Sequence, residues 1–205
     1  SDASSLARAE WNKIAGNRLG TLFMIWIFPL AAAAGAVTLC VLALASPMGR
    51  TLFRSGTLVI ELWTQIVPEV WNLPNSWLGR MLLVGFAAFV FAGEYQWHTW
   101  KNLIPRSRRT ALILAKFLVV AAFVLLAFLS ATAILGLGMV LAMGLAGGAL
   151  GSLPGDRLAG LVTDSALQAV VTLLSTTIAA GYAALAGMYT RSILGGVLVG
   201  LGATG

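Results

Sequence analysis

Five cations crowd one polar stretch of this sequence, Gly93 to Lys116, which reads GEYQWHTWKNLIPRSRRTALILAK. Lys101, Arg106, Arg108, Arg109 and Lys116 stand there against one acid, Glu94. Charge at this density can meet a complementary partner surface, but it is too costly to place in hydrocarbon. Pro105 divides the stretch into two short helical pieces. It reads as a cytoplasmic loop that makes contact with something.

Other residues able to do chemistry are sparse. His98 has no second His, Cys or carboxylate pair at ligand spacing, so no metal is expected. It lies at a helix end beside cations, which suits neither haem nor chlorophyll. Cys40 is the one cysteine, which excludes an internal disulfide and reads as a packed small apolar residue. Glu61, Gln65 and Glu69 recur every four residues, the spacing of one helix face. They read as a solvated face, with a proton or cation site as the alternative. No Ser-His-Asp arrangement, intramembrane carboxylate pair or charge deep in a span is evident, which argues against an intramembrane enzyme, a proton pump or an ion channel. The phosphate loop G-x-x-x-x-G-K-[ST] is missing too, so the chain is not expected to bind ATP by that device, to be an enzyme or to carry a cofactor.

The elements that must position these residues are membrane helices. Mean hydropathy is +0.91 and charged residues make up 10% of the chain, against about 25% in soluble domains. The net charge of +6 lies mostly beside apolar runs, where it sets orientation rather than nucleic-acid binding. No signal-peptide pattern precedes Thr21. The expected layout is one all-α, polytopic transmembrane bundle over residues 1–205. A cytoplasmic interfacial arm (1–18) carries a weak stripe of Trp11 and Ile14 with Ala7 and Ala15, while Arg8, Glu10, Lys13 and Arg18 stay wet; a plain polar tail is the alternative. Span 1 (21–45) is expected to kink at Pro29. An outer loop (46–76) holds an amphipathic helix, with Leu58, Leu62, Ile66 and Val70 opposite the Glu61 face.

Span 2 (77–97) ends in Arg80 and Glu94 snorkelling outward, or is a helix that re-enters the membrane. The basic loop (98–116) follows, then span 3 (117–143). An outer loop (144–164) comes next, in which Gly144 and Gly148 form either a helix-packing pair or part of a flexible loop. Span 4 (165–190), a turn at Arg191 and Ser192, and the start of a fifth span (193–205) complete the chain. That last piece is too short to cross and reads as truncated or half-entering. Nine cations fall on the side of the arm, the basic loop and the Arg191 turn, and four on the other, Arg50, Arg54, Arg80 and Arg157. That bias puts the N-terminus in the cytoplasm.

The layout resembles the ABC-2 type permease family, the membrane subunits of ATP-binding-cassette exporters. The resemblance rests on the arm with Glu10, Lys13 and Arg18, and on Gly93-Glu94 closing the second span. It rests also on the loop with Thr99, Lys101, Pro105, Ser107 and Arg108, on Lys116 opening the third span, and on the Thr190-Arg191-Ser192 turn. That family typically has Glu, a Gly-Thr pair, a basic residue, Pro-x-Ser-Arg and a Lys in this region; here His98 replaces the glycine. The family has six spans, of which this chain supplies four and part of a fifth.

The resemblance implies a permease subunit driven by a separate ATPase subunit, working with a second permease copy or a related permease in the bacterial cytoplasmic (inner) membrane. It also implies that the loop is a coupling helix seated on the ATPase. Glu94, Trp97, Thr99, Trp100, Lys101, Leu103, Pro105, Arg106, Ser107, Arg108 and Arg109 would form that contact. The plainer reading of the cations is that they only orient the chain. The alternative function is a non-transporting structural subunit of a larger energy-converting membrane complex, with a permease-like fold. A mostly apolar path fits lipids, drugs and peptides alike, so the substrate is not legible.

Overall fold

A computed structural model describes residues 3–96, 109–148 and 155–203. Its helices are α1 (Ala3–Gly16), α2 (Arg18–Thr21), α3 (Ile27–Ala45), α4 (Pro47–Arg54), α5 (Gly56–Asn72), α6 (Trp77–Gln96), α7 (Arg109–Leu145), α8 (Gly155–Thr190) and α9 (Ile193–Gly202). A π-helical turn, Leu22–Trp26, joins α2 to α3, and a 3-10 turn, Leu73–Asn75, follows α5. No strand occurs among the described residues.

Among the described residues, three helices are long and apolar enough to cross a membrane: Phe23–Ala45, Thr110–Leu145 and Ala159–Thr190. Glu61–Asn75 with Trp77–Ala92 make a fourth if that broken pair is one span. The expected count of four full spans plus part of a fifth is therefore met only as three or four. Helix α9, at 10 residues, is too short to cross. Leu118, Leu129, Leu137 and Leu141 of α7 are about half to two-thirds exposed, a burden in water but ordinary toward lipid.

Local chemistry explains several helix ends. Pro29 has no N–H, and its ring crowds the carbonyl four residues back, at Ile25. The π turn that contains Ile25 lets that carbonyl move aside, so the distortion falls before the proline. Ser46 caps α4 by accepting from Gly49 N–H at 3.3 Å, with Pro47 at its first position. Arg50 donates twice to the Leu44 carbonyl (3.0 and 2.6 Å), and Arg54 donates to the Ala146 carbonyl at 3.1 Å. These two arginines close the carbonyl ends of α3 and α7.

Gly147, at φ +74°, ends α7, with Gly148 N–H on the Met143 carbonyl and Gly147 N–H on the Gly144 carbonyl. That is a Schellman cap. The glycines of 144–148 thus terminate a helix, and Gly144 has open space around its Cα. The stretch 144–164, expected as a loop, is helical again from Gly155. The charges at Asp156, Arg157 and Asp164 suggested a boundary, but charge limits what sits in hydrocarbon and does not prevent helix formation. Pro154 followed by an acid at Asp156 is a helix-start pattern.

The chain forms two compact units, to both of which α7 and α8 contribute. The first holds Ser1–Trp26, Pro74–Leu126 and Thr172–Gly205. At its centre is α6, buried on all sides from Leu83 to Ala88. Val84, Ala87 and Ala88 pack against Ala179, Ala180 and Ala183 of α8, with Ile193, Val197 and Leu201 of α9 alongside. A methyl group at Gly196 would lie 2.8 Å from the Ala183 carbonyl oxygen, and one at Gly200 would lie 2.6 Å from Val84. The close-packing glycine pair with three residues between is therefore here, on α9. Arg80 turns to Asn75 (3.3 Å) and Ser175 (3.1 Å) rather than only outward.

The second unit holds Ile27–Leu73 and Ala127–Val171. Ala43, Phe53, Ala142, Met143 and Ala146 form one core cluster, and Cys40 packs beside it. Phe128 meets the rings of Phe28 and Trp71 at 4.7 and 5.9 Å. The amphipathic α5 matches its periodicity: Glu61, Gln65 and Glu69 are exposed, while Val67, Val70 and Trp71 are buried. The helix continues through Pro68.

Candidate functional site

The basic loop falls between α6 and α7. Trp97, Thr99, Trp100, Lys101, Leu103, Pro105, Arg106, Ser107 and Arg108 lie outside the described residues, as does His98. Glu94 is in the last turn of α6, and Arg109 is the first residue of α7. What the structure describes is therefore the root of the loop, in the first unit.

At that root, Lys116 Nζ donates to Glu10 Oε2 at 2.7 Å, with side chains 1% and 5% exposed. This corrects two expectations. Glu10 is not a wet residue of the arm, and Lys116 does not open its helix, because α7 begins seven residues earlier at Arg109. A charge does therefore lie inside a long apolar helix, matched by a carboxylate from the arm.

Spacing explains why the arm can deliver that carboxylate. Glu10 and Ile14 are four residues apart and Trp11 lies between them, so all three share one face of α1. Ile14 is buried, and Trp11 stacks on Phe123 of α7 at 4.4 Å. Phe123 is two turns beyond Lys116, on the same side of α7. Ser5, Arg8, Ala9, Asn12 and Lys13 are exposed. The arm is thus docked on protein through the stripe expected to rest on the membrane surface. Beyond it, Asn17 accepts from Gly20 N–H at 3.2 Å and caps α2.

A cavity of about 40 Å³ adjoins the pair, with Asn17 on the arm side and Phe89 and Val90 of α6 on the other. That is room for a water molecule beside polar groups. Phe91 of α6 meets Phe117 of α7 at 4.7 Å, next to Lys116 in sequence. The arm, the end of α6 and the start of α7 therefore converge on one buried charge pair. Both helices that carry the loop belong to this cluster. Lys116 lies about 10 Å along the helix axis from Arg109.

The cluster is one buried ion pair set among aromatic and apolar side chains. Among the described residues no group of three or more His, Cys, Asp or Glu could hold a metal ion. In the second unit, a separate cavity of about 450 Å³ is lined mainly by apolar side chains, with Trp63, Val67, Gly136, Leu137 and Leu161 among them. Among the described residues, no charged side chain lines it.

Part of the signal for the pair is visible in the sequence. Glu10 is an acid inside the Trp11–Ile14 stripe, and Lys116 is a cation among Leu112, Leu114, Phe117 and Leu118. Each needed a partner, but their separation of 106 residues left the pairing unreadable.

Comparison with known proteins yields one family. The family model described as ABC-2 family transporter protein matches residues 9–201. No curated protein and no solved structure matches the chain.

Proposed function

The chain belongs to the ABC-2 family of transporter proteins, and from that premise we propose that it is the permease subunit of an ATP-driven exporter. A separate ATPase subunit binds and hydrolyses ATP, and this chain contributes neither catalysis nor a cofactor. The loop from Glu94 to Arg109 seats on that subunit. Its cations supply charge complementarity, and Trp97, Trp100 and Leu103 supply apolar anchors. The chain works beside a second permease copy or a related permease. It is a multi-pass protein of the bacterial cytoplasmic membrane, with the arm and the basic loop on the cytoplasmic side. Alternating access follows from ATPase closure acting through the loop.

The observation that carries this reading is the family match over nearly the whole chain, arm, loop and last turn included. The buried pair at the loop's root supports it, because a push on the loop needs a firm base. The test is purification in mild detergent, with the partners identified and export assayed. Trp100→Ala with Leu103→Ala leaves every orienting charge in place while removing two anchors. An anchor residue typically costs 2 kcal/mol or more, so affinity for the ATPase should fall by at least about tenfold. Full retention of the ATPase and of export in a normally inserted double variant would show that the loop is not the contact. If no ATPase co-purifies with the unaltered chain, a structural role in a larger membrane complex replaces the exporter reading.

A further inference from the structure

We infer that Glu10 and Lys116 are a positioning pair for coupling, making the N-terminal arm a working part of the transmission rather than a membrane rest. The coupling role depends on the exporter reading above; the clamping of the arm does not.

The argument begins with what a buried pair is good for. Taking both charges out of water is costly, and a pair of apolar residues of similar volume often holds a fold as well or better. Stability alone is therefore a weak reason for this pair. Its distinctive property is geometry. Apolar contacts such as Ile14 tolerate sliding by a fraction of a turn, whereas an ammonium on a carboxylate at 2.7 Å admits one register. Trp11 stacked on Phe123 marks the same register two turns along α7.

Location gives that register its use. Lys116 is on the helix that leaves the basic loop, and Phe89 and Val90, beside the pair, are on the helix that enters it. A rigid arm bridging both makes the two roots of the loop move as one body. A displacement imposed on the loop then passes to α6 and α7 together. With the arm loose, α6 and α7 keep only their direct contact, such as Phe91 on Phe117, and less of the stroke is passed on.

The experiment uses the full chain co-purified with its ATPase subunit and reconstituted into sealed lipid vesicles. ATP hydrolysis, export per ATP and the rate of trypsin cleavage after Arg8 and Lys13 are measured together. Glu10→Gln should retain the ATPase and its hydrolysis. Cleavage in the arm should be at least about tenfold faster, and export per ATP at least about tenfold lower, the scale of one charge-assisted hydrogen bond. The swap Glu10→Lys with Lys116→Glu keeps net charge and should restore both readouts to within about twofold, if pairing is what matters. The neutral pair Glu10→Leu with Lys116→Met should fold and insert but stay poorly coupled. Normal coupling in that neutral pair would reduce Glu10–Lys116 to a structural contact and overturn the inference. So would unchanged cleavage and coupling in Glu10→Gln. If the single variant fails to insert, the swap and the neutral pair decide by the same readouts. If no ATPase is found, the exporter reading falls, while the cleavage rates alone still decide whether the pair clamps the arm.

Discussion

Removing one member of the Glu10–Lys116 pair leaves the other charge in a site where the two side chains are 1% and 5% exposed. Breaking a buried pair from one side typically costs about 3–5 kcal/mol, so Lys116→Ala should be strongly destabilised in a detergent unfolding titration. The neutral pair Glu10→Leu with Lys116→Met should unfold within about 1–2 kcal/mol of the unaltered chain, on the more stable side if it differs. Equal stability of Lys116→Ala and the unaltered chain would mean that the pair is hydrated in solution. At this scale the sequence was half legible. Trp11 and Ile14 were visible as a stripe, and both are packed. Glu10 reads as solvated because charge near an apolar stripe usually is, and one sequence cannot report a contact made 106 residues away.

Elements with a periodicity of their own could be read. The four-residue recurrence of Glu61, Gln65 and Glu69 put one face of α5 outward, and all three are exposed. Glycines were harder, since the same residue serves a tight turn and a close helix crossing. Gly144 and Gly148 have packing-pair spacing, but Gly147 at φ +74° shows that the stretch is a helix end. Gly196 and Gly200 have the same spacing and do sit at a close crossing, with Val84 and Ala183 within van der Waals reach. Nothing local separates the two cases; only the partner helices do. Gly200→Leu should therefore lift α9 from α6 and α8. Amide hydrogen exchange along Ile193–Gly202 should be at least about tenfold faster, one step of about 1.4 kcal/mol in local opening. Gly144→Ala, with open space around it, should leave exchange in α7 unchanged. Equal exchange in α9 of Gly200→Leu and the unaltered chain would mean that the crossing contributes no protection.

At the scale of the whole molecule, composition pointed to membrane helices, and the described residues hold no strand and three helices able to cross a membrane, or four if the broken pair is one span. Span number was less legible because Trp77–Gln96 follows α5 after a break, so hydropathy does not say whether the two make one crossing. Helix lengths were also underestimated, since the charges at Arg109 and Asp156 lie within helices rather than between them. The orientation drawn from nine cations against four is directly testable. In a Cys40→Ala background, Ser107→Cys should react with an impermeant thiol reagent only from the cytoplasm, and Gly155→Cys only from outside. Reaction of both from one side would remove the proposed topology.

The arginines of α4 carry a further electrical consequence. Arg50 lies on the carbonyl end of α3 and Arg54 on the carbonyl end of α7, and a helix presents about half an elementary negative charge at that end. Each arginine is thus partly neutralised by backbone dipoles before any counter-ion arrives. A tally of residues overstates the field on that face. If those two ends face outward, as the proposed orientation has it, the uneven spread of the thirteen cations is more uneven still once the helix dipoles are counted. Two side chains that finish helices in this way also steepen the electrical polarity of the chain.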